Sequence, residues 1–179
     1  MSLIVSCDLP GEALLRQYVA KRAYTDCFAT DVAASVSFAA FVEAFYTSAA
    51  FKCERFVLTW ALSKPSSDDD ARRLARGESE RFAAWTVEAR AHDQLLVCDY
   101  LGHTSSWLMV EPIADGTRLY FGSAVVPVGA GSSRALGFAF NAMLPFHKLY
   151  ARVLLGAARG RALKLARAQE SPGTCNSAE

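Results

Sequence analysis

The stretch "NAMLPFHKLYARVLLGAARGRA", Asn141 to Ala162, contains the side chain best suited to chemistry in this chain, His147. A histidine titrates close to neutral pH, so it can exchange a proton with a substrate or make a structural hydrogen bond. At about 100° per residue along a helix, Phe146, Tyr150, Val153, Leu154 and Ala157 share one face. Lys148, Arg152 and Arg159 cluster on the other side. His147 falls about 60° from the centre of the apolar face, on the seam between the two. From there it could serve a pocket as its acid or base, or bond a carbonyl freed by Pro145. Asp99 is the carboxylate to weigh beside it. Mid-strand in "LLVCDYL", it needs water or a partner, and an Asp99–His147 pair would be a candidate acid/base device. Spacing alone does not bring the two together.

Binding is the other chemistry the residues suggest. Trp85, Tyr100, Trp107, Tyr120 and Phe121 fall on segments with strand periodicity, and Phe146 and Tyr150 on the helix just described. Aromatic side chains on a sheet are commonly plain core. Aromatics with polar ends on a concave sheet are also the usual lining of a small-molecule cavity. Trp85, Tyr100, Trp107, Tyr120, Phe146, His147 and Tyr150 are therefore the expected ligand-binding set. Alternation does not say whether Leu96/Cys98/Tyr100 or Leu95/Val97/Asp99 points inward, because both rows are largely apolar.

Other chemistries lack their motifs. "VVPVGAGSSRALG", Val125 to Gly137, resembles a dinucleotide loop but has neither the third glycine nor a βαβ unit, and no lysine precedes its serines. Gly129 and Gly131 read better as a turn, with Ser132 or Ser133 capping a helix. His92, His103 and His147 are too far apart to suggest a metal site, so neither metal nor cofactor is implied. Both His92 and His103 sit in turns, where His92 is expected in solvent and His103 on a pocket rim. The five cysteines, Cys7, Cys27, Cys53, Cys98 and Cys175, form no C-x-x-C pair and read mostly as small buried hydrophobes. Cys175 is expected to be exposed in a polar tail.

The elements that must position these residues follow from periodicity. A short helix is predicted from about Pro10 to Ala20, and a strand over Ala23 to Val32, where Tyr24, Asp26, Phe28 and Thr30 alternate. Two amphipathic helices follow. The first starts at Ser37 and carries Phe38, Phe41, Val42 and Phe45; the second spans Ala50 to Ser63 with Cys53, Phe56, Val57 and Trp60. Ser67 should cap a charged helix that Gly77 stops. Four strands are predicted at Arg81–Arg90, Gln94–Leu101, Ser105–Pro112 and Thr117–Val126, joined by hairpins. A final helix from Ser133 to about Ala168 covers this antiparallel meander, and Pro145 should kink or break it. Gly156 and Gly160 suit close approach to the sheet. With 52% apolar and 21% charged residues over 179 positions, this is a folded α+β chain. A single domain over residues 1–170 is expected, with 1–22 a helical extension and 171–179 a disordered tail.

That order resembles the helix-grip fold of the START-related and polyketide-cyclase-like (SRPBCC) superfamily, in which a curved sheet grips the last helix around an apolar cavity. "ESERFAAWTVEARAHDQLLVCDYLGHTSSWLMVEP", Glu78 to Pro112, and "LPFHKLYARVLLG", Leu144 to Gly156, are similar to a bacterial domain family of unknown function (DUF2867-like) in that superfamily. Its members carry a leucine-proline-phenylalanine-histidine run followed by a basic residue. The resemblance spans most of Tyr24 to Ala162. It departs in having four strands after the helices where a full helix-grip has about six, and in the extra helix from Asp68 to Arg76. It implies a pocket and carries over no reaction.

Charge and hydropathy narrow the partners. Residues 1–116 hold sixteen acids against eleven bases, whereas Thr117 to Ala168 holds eight bases and no acid. Such a basic segment can attract an anionic surface, or be no more than a wet helix face. Between Ala135 and Leu155, Asn141, Pro145, His147, Lys148 and Arg152 interrupt any membrane span. The bases lack interleaved aromatics, which argues against nucleic acid. "MSLIVSCDLP" has no basic n-region, so a cytoplasmic protein is expected. The expected partner is a small, largely apolar molecule, with weak membrane-surface contact or a second copy of the chain as further partners. A cyclase-, hydratase- or isomerase-type enzyme using His147 and Asp99 is one alternative to simple binding. Lipid-surface binding through Lys148, Arg152, Arg159, Arg161, Lys164 and Arg167 is the other.

Overall fold

The computed structural model describes residues 3–53, 66–126 and 134–170, the first eleven and last two residues of the final stretch as backbone alone. The elements are β1 (Val5–Ser6), α1 (Arg16–Ala20), β2 (Tyr24–Val32), α2 (Phe38–Tyr46), α3, described over residues 49–53, and α4 (Asp68–Ala75). Five strands follow, β3 (Arg81–Phe82), β4 (Trp85–Arg90), β5 (Gln94–Asp99), β6 (Thr104–Ile113) and β7 (Gly116–Val125), and then α5 (Arg134–Glu170). The strands make one antiparallel sheet in the order β1-β2-β7-β6-β5-β4-β3. The chain is α+β, with a β3–β7 meander closed by β2 and the long C-terminal helix packed on one face. This is the helix-grip arrangement.

Local chemistry explains the borders. Ser37 accepts a bond from the Ala40 N–H and starts α2, which buries Phe41, Val42, Ala44 and Phe45. Ser67 and Asp70 form a reciprocal capping box at α4, three aspartates occupy its first turn, and Gly77 follows at φ +75°; each satisfies a helix end. The predicted Arg81–Arg90 strand is in fact two. Ala83 takes a positive φ of 51° and folds β3 back on β4, pairing Phe82 with Trp85. Five strands therefore follow the helices instead of four. α1 begins at Arg16, not Pro10, after a run of turns. Phe56, Val57, Trp60, Gly129, Gly131, Ser132, Ser133, Cys175 and the 171–179 tail lie outside the described residues.

Both faces of the sheet are covered. Phe28, Val32, Leu95, Val97, Leu108, Val110, Leu119 and Phe121 face α2 and α5. Cys27, Ala29, Leu96, Trp107, Met109 and Tyr120 face the N-terminal segment, which contributes Ala13, Leu15 and Tyr18. Gln94 ties that segment down: its Oε1 accepts from the Leu14 N–H and the Trp107 indole, and its Nε2 donates to the Glu12 carbonyl. Ser105 donates to the Tyr18 hydroxyl, which donates to Glu88.

α5 narrows one expectation and corrects another. It runs through Pro145 without a break, because proline costs only the one bond to Asn141 while the helix beyond it buries a long face. That face is Ala151, Leu154, Leu155, Ala158, Ala162 and Ala166, at helical spacings of three and four. Phe146, Tyr150 and Val153, expected to point at the sheet, are exposed. Small alanines allow the helix to approach closely, so they and not the bulkier residues mark the interface.

Gly122 lies at the crossing of the layers. It pairs with Trp107, and a Cβ there would come within 2.8 Å of Leu15, 2.9 Å of the Asp26 carbonyl and 3.0 Å of the Trp107 ring. Gly122→Ala is expected to destabilise the protein by about 1–3 kcal/mol through overpacking. Denaturant unfolding checks this, and an unchanged midpoint would contradict the tight crossing.

Candidate functional site

Cross-strand register lays out the helix-facing side of the sheet in rows. Leu95, Leu108, Phe121 and Phe28 are successive partners in one row, wholly apolar. Two residues along each strand, the next row reads Val97, Ser106, Ser123 and Asp26. The surface thus turns from apolar to polar in one pleat repeat. Two residues further along β5, on the same face, Asp99 pairs with Trp85.

Asp26 is the centre of the polar row. Its side chain is only 6% exposed, a position where a carboxylate is costly unless its lone pairs are satisfied. Oδ1 accepts from the Ser123 N–H at 3.1 Å and the Ser123 hydroxyl at 2.7 Å. Oδ2 accepts from the Tyr24 hydroxyl at 3.2 Å and meets His147 Nε2 at 3.2 Å. Burial pushes the Asp26 pKa up, but the hydrogen bonds from His147 and Ser123, the His147 charge and the Tyr24 hydroxyl outweigh it and hold it below the ordinary carboxylate value. Tyr24 is pushed up to about 12 by burial and by the Asp26 charge, so it remains a donor.

Proton accounting fixes the role of His147. Asp26 can only accept, and Ser123 gives its hydroxyl proton to Asp26, so the 2.7 Å contact between Ser123 Oγ and His147 Nε2 needs the proton on Nε2. In the neutral ring Nδ1 is then the basic nitrogen, and it has no hydrogen-bond partner among the described residues. This is not a nucleophilic relay, in which acid and serine hold opposite ring nitrogens. Here both address Nε2, and Ser123 serves as a positioning hydroxyl.

His147 also lines a hollow of about 300 Å³ between the sheet and α5. Phe45, Phe51, Trp85, Phe121, Tyr150 and Leu154 supply apolar wall; Asp99, Thr104, Ser106, Ser123 and His147 supply polar wall. The Trp85 indole N–H is buried without a hydrogen-bond partner among the described residues. Of the residues singled out from sequence, Trp85, Tyr100, His147, Tyr150 and Asp99 meet at this hollow. The placement of Trp107, Tyr120 and Phe146 there is corrected. Trp107 and Tyr120 point to the opposite face, where the N-terminal segment gives apolar side chains a second core, and Phe146 is 68% exposed. Asp99 accepts from the His103 N–H at 2.8 Å, while the acid that His147 meets is Asp26. Asp26, Tyr24 and Ser123 were not singled out. The signal was a mid-strand carboxylate in "YTDCFATDV", the same kind that drew notice to Asp99. His92 is exposed in its turn, with Nδ1 3.4 Å from Asp93. Among the described residues no three His, Cys, Asp or Glu side chains could together hold a metal ion.

Asp26→Asn is expected to cost on the order of 3 kcal/mol near neutral pH, since it leaves buried donors without their acceptor. The folded-state pKa of Asp26 lies below the unfolded one, so its contribution is complete above about pH 4 and is lost as pH falls through the folded value. The stabilities of wild type and variant should therefore converge in acid. Denaturant melts at neutral and acid pH check it; equal stabilities at neutral pH would contradict the network.

No protein-family model matches the chain, and no curated protein matches it. Among solved structures it is similar to CalU16 from Micromonospora echinospora, at 12% identity over 94% of this chain and 96% of that one, with a TM-score of 0.31. A likeness that low carries no argument, and the helix-grip description rests on the sheet order and the packing of α5.

Proposed function

We propose that this protein binds a small, largely apolar molecule in the hollow between its sheet and α5. The observation that carries the proposal is the division of that hollow into an aromatic wall and a wall of five polar side chains, the pattern of a site that buries a body and orients it by a few hydrogen bonds. The buried Trp85 N–H offers a further donor, whose isolation costs free energy until an acceptor arrives. We place the protein in the cytoplasm and, on the leucine-proline-phenylalanine-histidine run, in the bacterial helix-grip family of unknown function.

A second reading keeps the pocket and adds turnover. With Nε2 held by Asp26 and Ser123, His147 Nδ1 would accept or return a proton in a cyclisation, hydration or isomerisation, and Asp99 lies on the same hollow. His147→Ala would then abolish turnover and spare binding. A third reading, contact with a lipid surface, draws on exposed Phe146, Leu149 and Val153 beside Lys148. Against it, Arg161 donates to Thr47 and Arg152 lies over the Phe28 ring, so at least two of the six basic residues serve the fold. Among the described residues no helix is long and apolar enough to cross a membrane. Sedimentation with anionic vesicles at low salt separates this reading from the others.

Titration with a neutral fluorescent naphthylamine tests the pocket. Trp85→Ala should weaken dye binding by about tenfold or more, the loss of some 1.5 kcal/mol of apolar contact. Tyr120→Phe, on the opposite face, should leave it unchanged. Equal effects of the two changes, or no binding to the wild type, would refute the proposed site.

A further inference from the structure

We propose that Cys7 and Cys27 form a redox-active dithiol at which a low-molecular-weight disulfide is reduced and the protein acquires an internal Cys7–Cys27 bond. The two Sγ atoms stand 3.3 Å apart as free thiols. The Cys7 N–H donates to the Cys27 carbonyl at 3.0 Å, continuing the register that pairs Val5 with Ala29 and Ser6 with Phe28. Antiparallel neighbours have Cα atoms about 4.5–5.5 Å apart, inside the span a disulfide bridges. Cys53 and Cys98 make no such contact among the described residues.

The two thiols are unequal in a way that assigns their roles. Cys27 is 2% exposed, whereas Cys7 is half-buried on the wall of a second hollow, of about 430 Å³, that also holds Asp31 and Arg118. The contact with the Cys27 thiol holds the Cys7 pKa below the ordinary thiol value and the Arg118 charge adds to this, against the opposing effects of burial and Asp8. Cys7 is therefore the attacking thiolate. It bonds to one sulfur of the added disulfide RSSR, whose S–S bond breaks and releases one thiolate. Cys27 then gives its proton to that thiolate, attacks Cys7 Sγ and expels the second, which takes a proton from water. Two protein thiols and RSSR become one protein disulfide and two RSH. The new bond would staple the β1 edge to β2 at the residue next to Asp26.

The test treats reduced protein with excess hydroxyethyl disulfide, alkylates the remaining thiols in acid, and maps peptides by mass spectrometry. The wild type should lose two of its five thiols and yield the Cys7 peptide joined to the Cys27 peptide. Cys27→Ser should instead stop at a hydroxyethyl adduct on Cys7. In Cys7→Ser, adduct formation at Cys27 should be at least about tenfold slower than at Cys7 in the wild type. A wild type that keeps its adduct on Cys7 without closing, or in which Cys53 reacts before Cys7, would overturn the proposal.

Discussion

The structure turns on one buried carboxylate. Asp26 is ionised inside the interface between sheet and helix, and an uncompensated charge there would cost several kcal/mol. Compensation comes from three elements at once: Tyr24 of β2, both donors of Ser123 on β7, and His147 on α5. A slip of β2 against β7 would turn Asp26 to the other face, and a rotation of α5 would withdraw His147. The requirement to satisfy one acid thus reinforces strand register and helix orientation together, at the edge of the hollow.

Around that anchor, the two faces of the sheet divide their work. The N-terminal segment covers the back, where Gln94 and Ser105 bind it by hydrogen bonds as well as by packing. The front receives α5 along an alanine-rich stripe, and where the stripe ends at Ala151 and His147 the helix and sheet enclose the hollow. The change from an apolar to a polar row across β5, β6, β7 and β2 gives that hollow its two kinds of wall. Its architecture suits a molecule with an apolar body and a few polar atoms.

Much of the fold was legible in the sequence. Period-two alternation located the meander to within a few residues, and serine caps located the starts of α2 and α4. What periodicity could not supply was direction. Trp107 and Leu108 are both fully buried because each face of the sheet has its own core, so an apolar residue carried no information about which side it faced. On α5, large apolar residues occur around much of the wheel, and the true interface was marked by Ala151, Ala158, Ala162 and Ala166, residues that hydropathy weighs lightly. His147 stood out because histidines are few. Its partner did not, because the argument that flagged Asp99 as a costly mid-strand acid applied equally to Asp26. Cys7 and Cys27, twenty residues apart in sequence, meet only through the pairing of β1 with β2.

The central claim, that the hollow between sheet and α5 takes a small, largely apolar molecule, is tested most directly by native mass spectrometry of freshly purified protein beside Leu154→Trp, which fills the hollow from its helix wall. The account predicts a noncovalent mass carried by the wild type, taken up again after stripping and reloading from an apolar extract, and absent from the variant. Wild-type protein that stays at its bare mass after loading, or a variant that carries the ligand equally well, would contradict it.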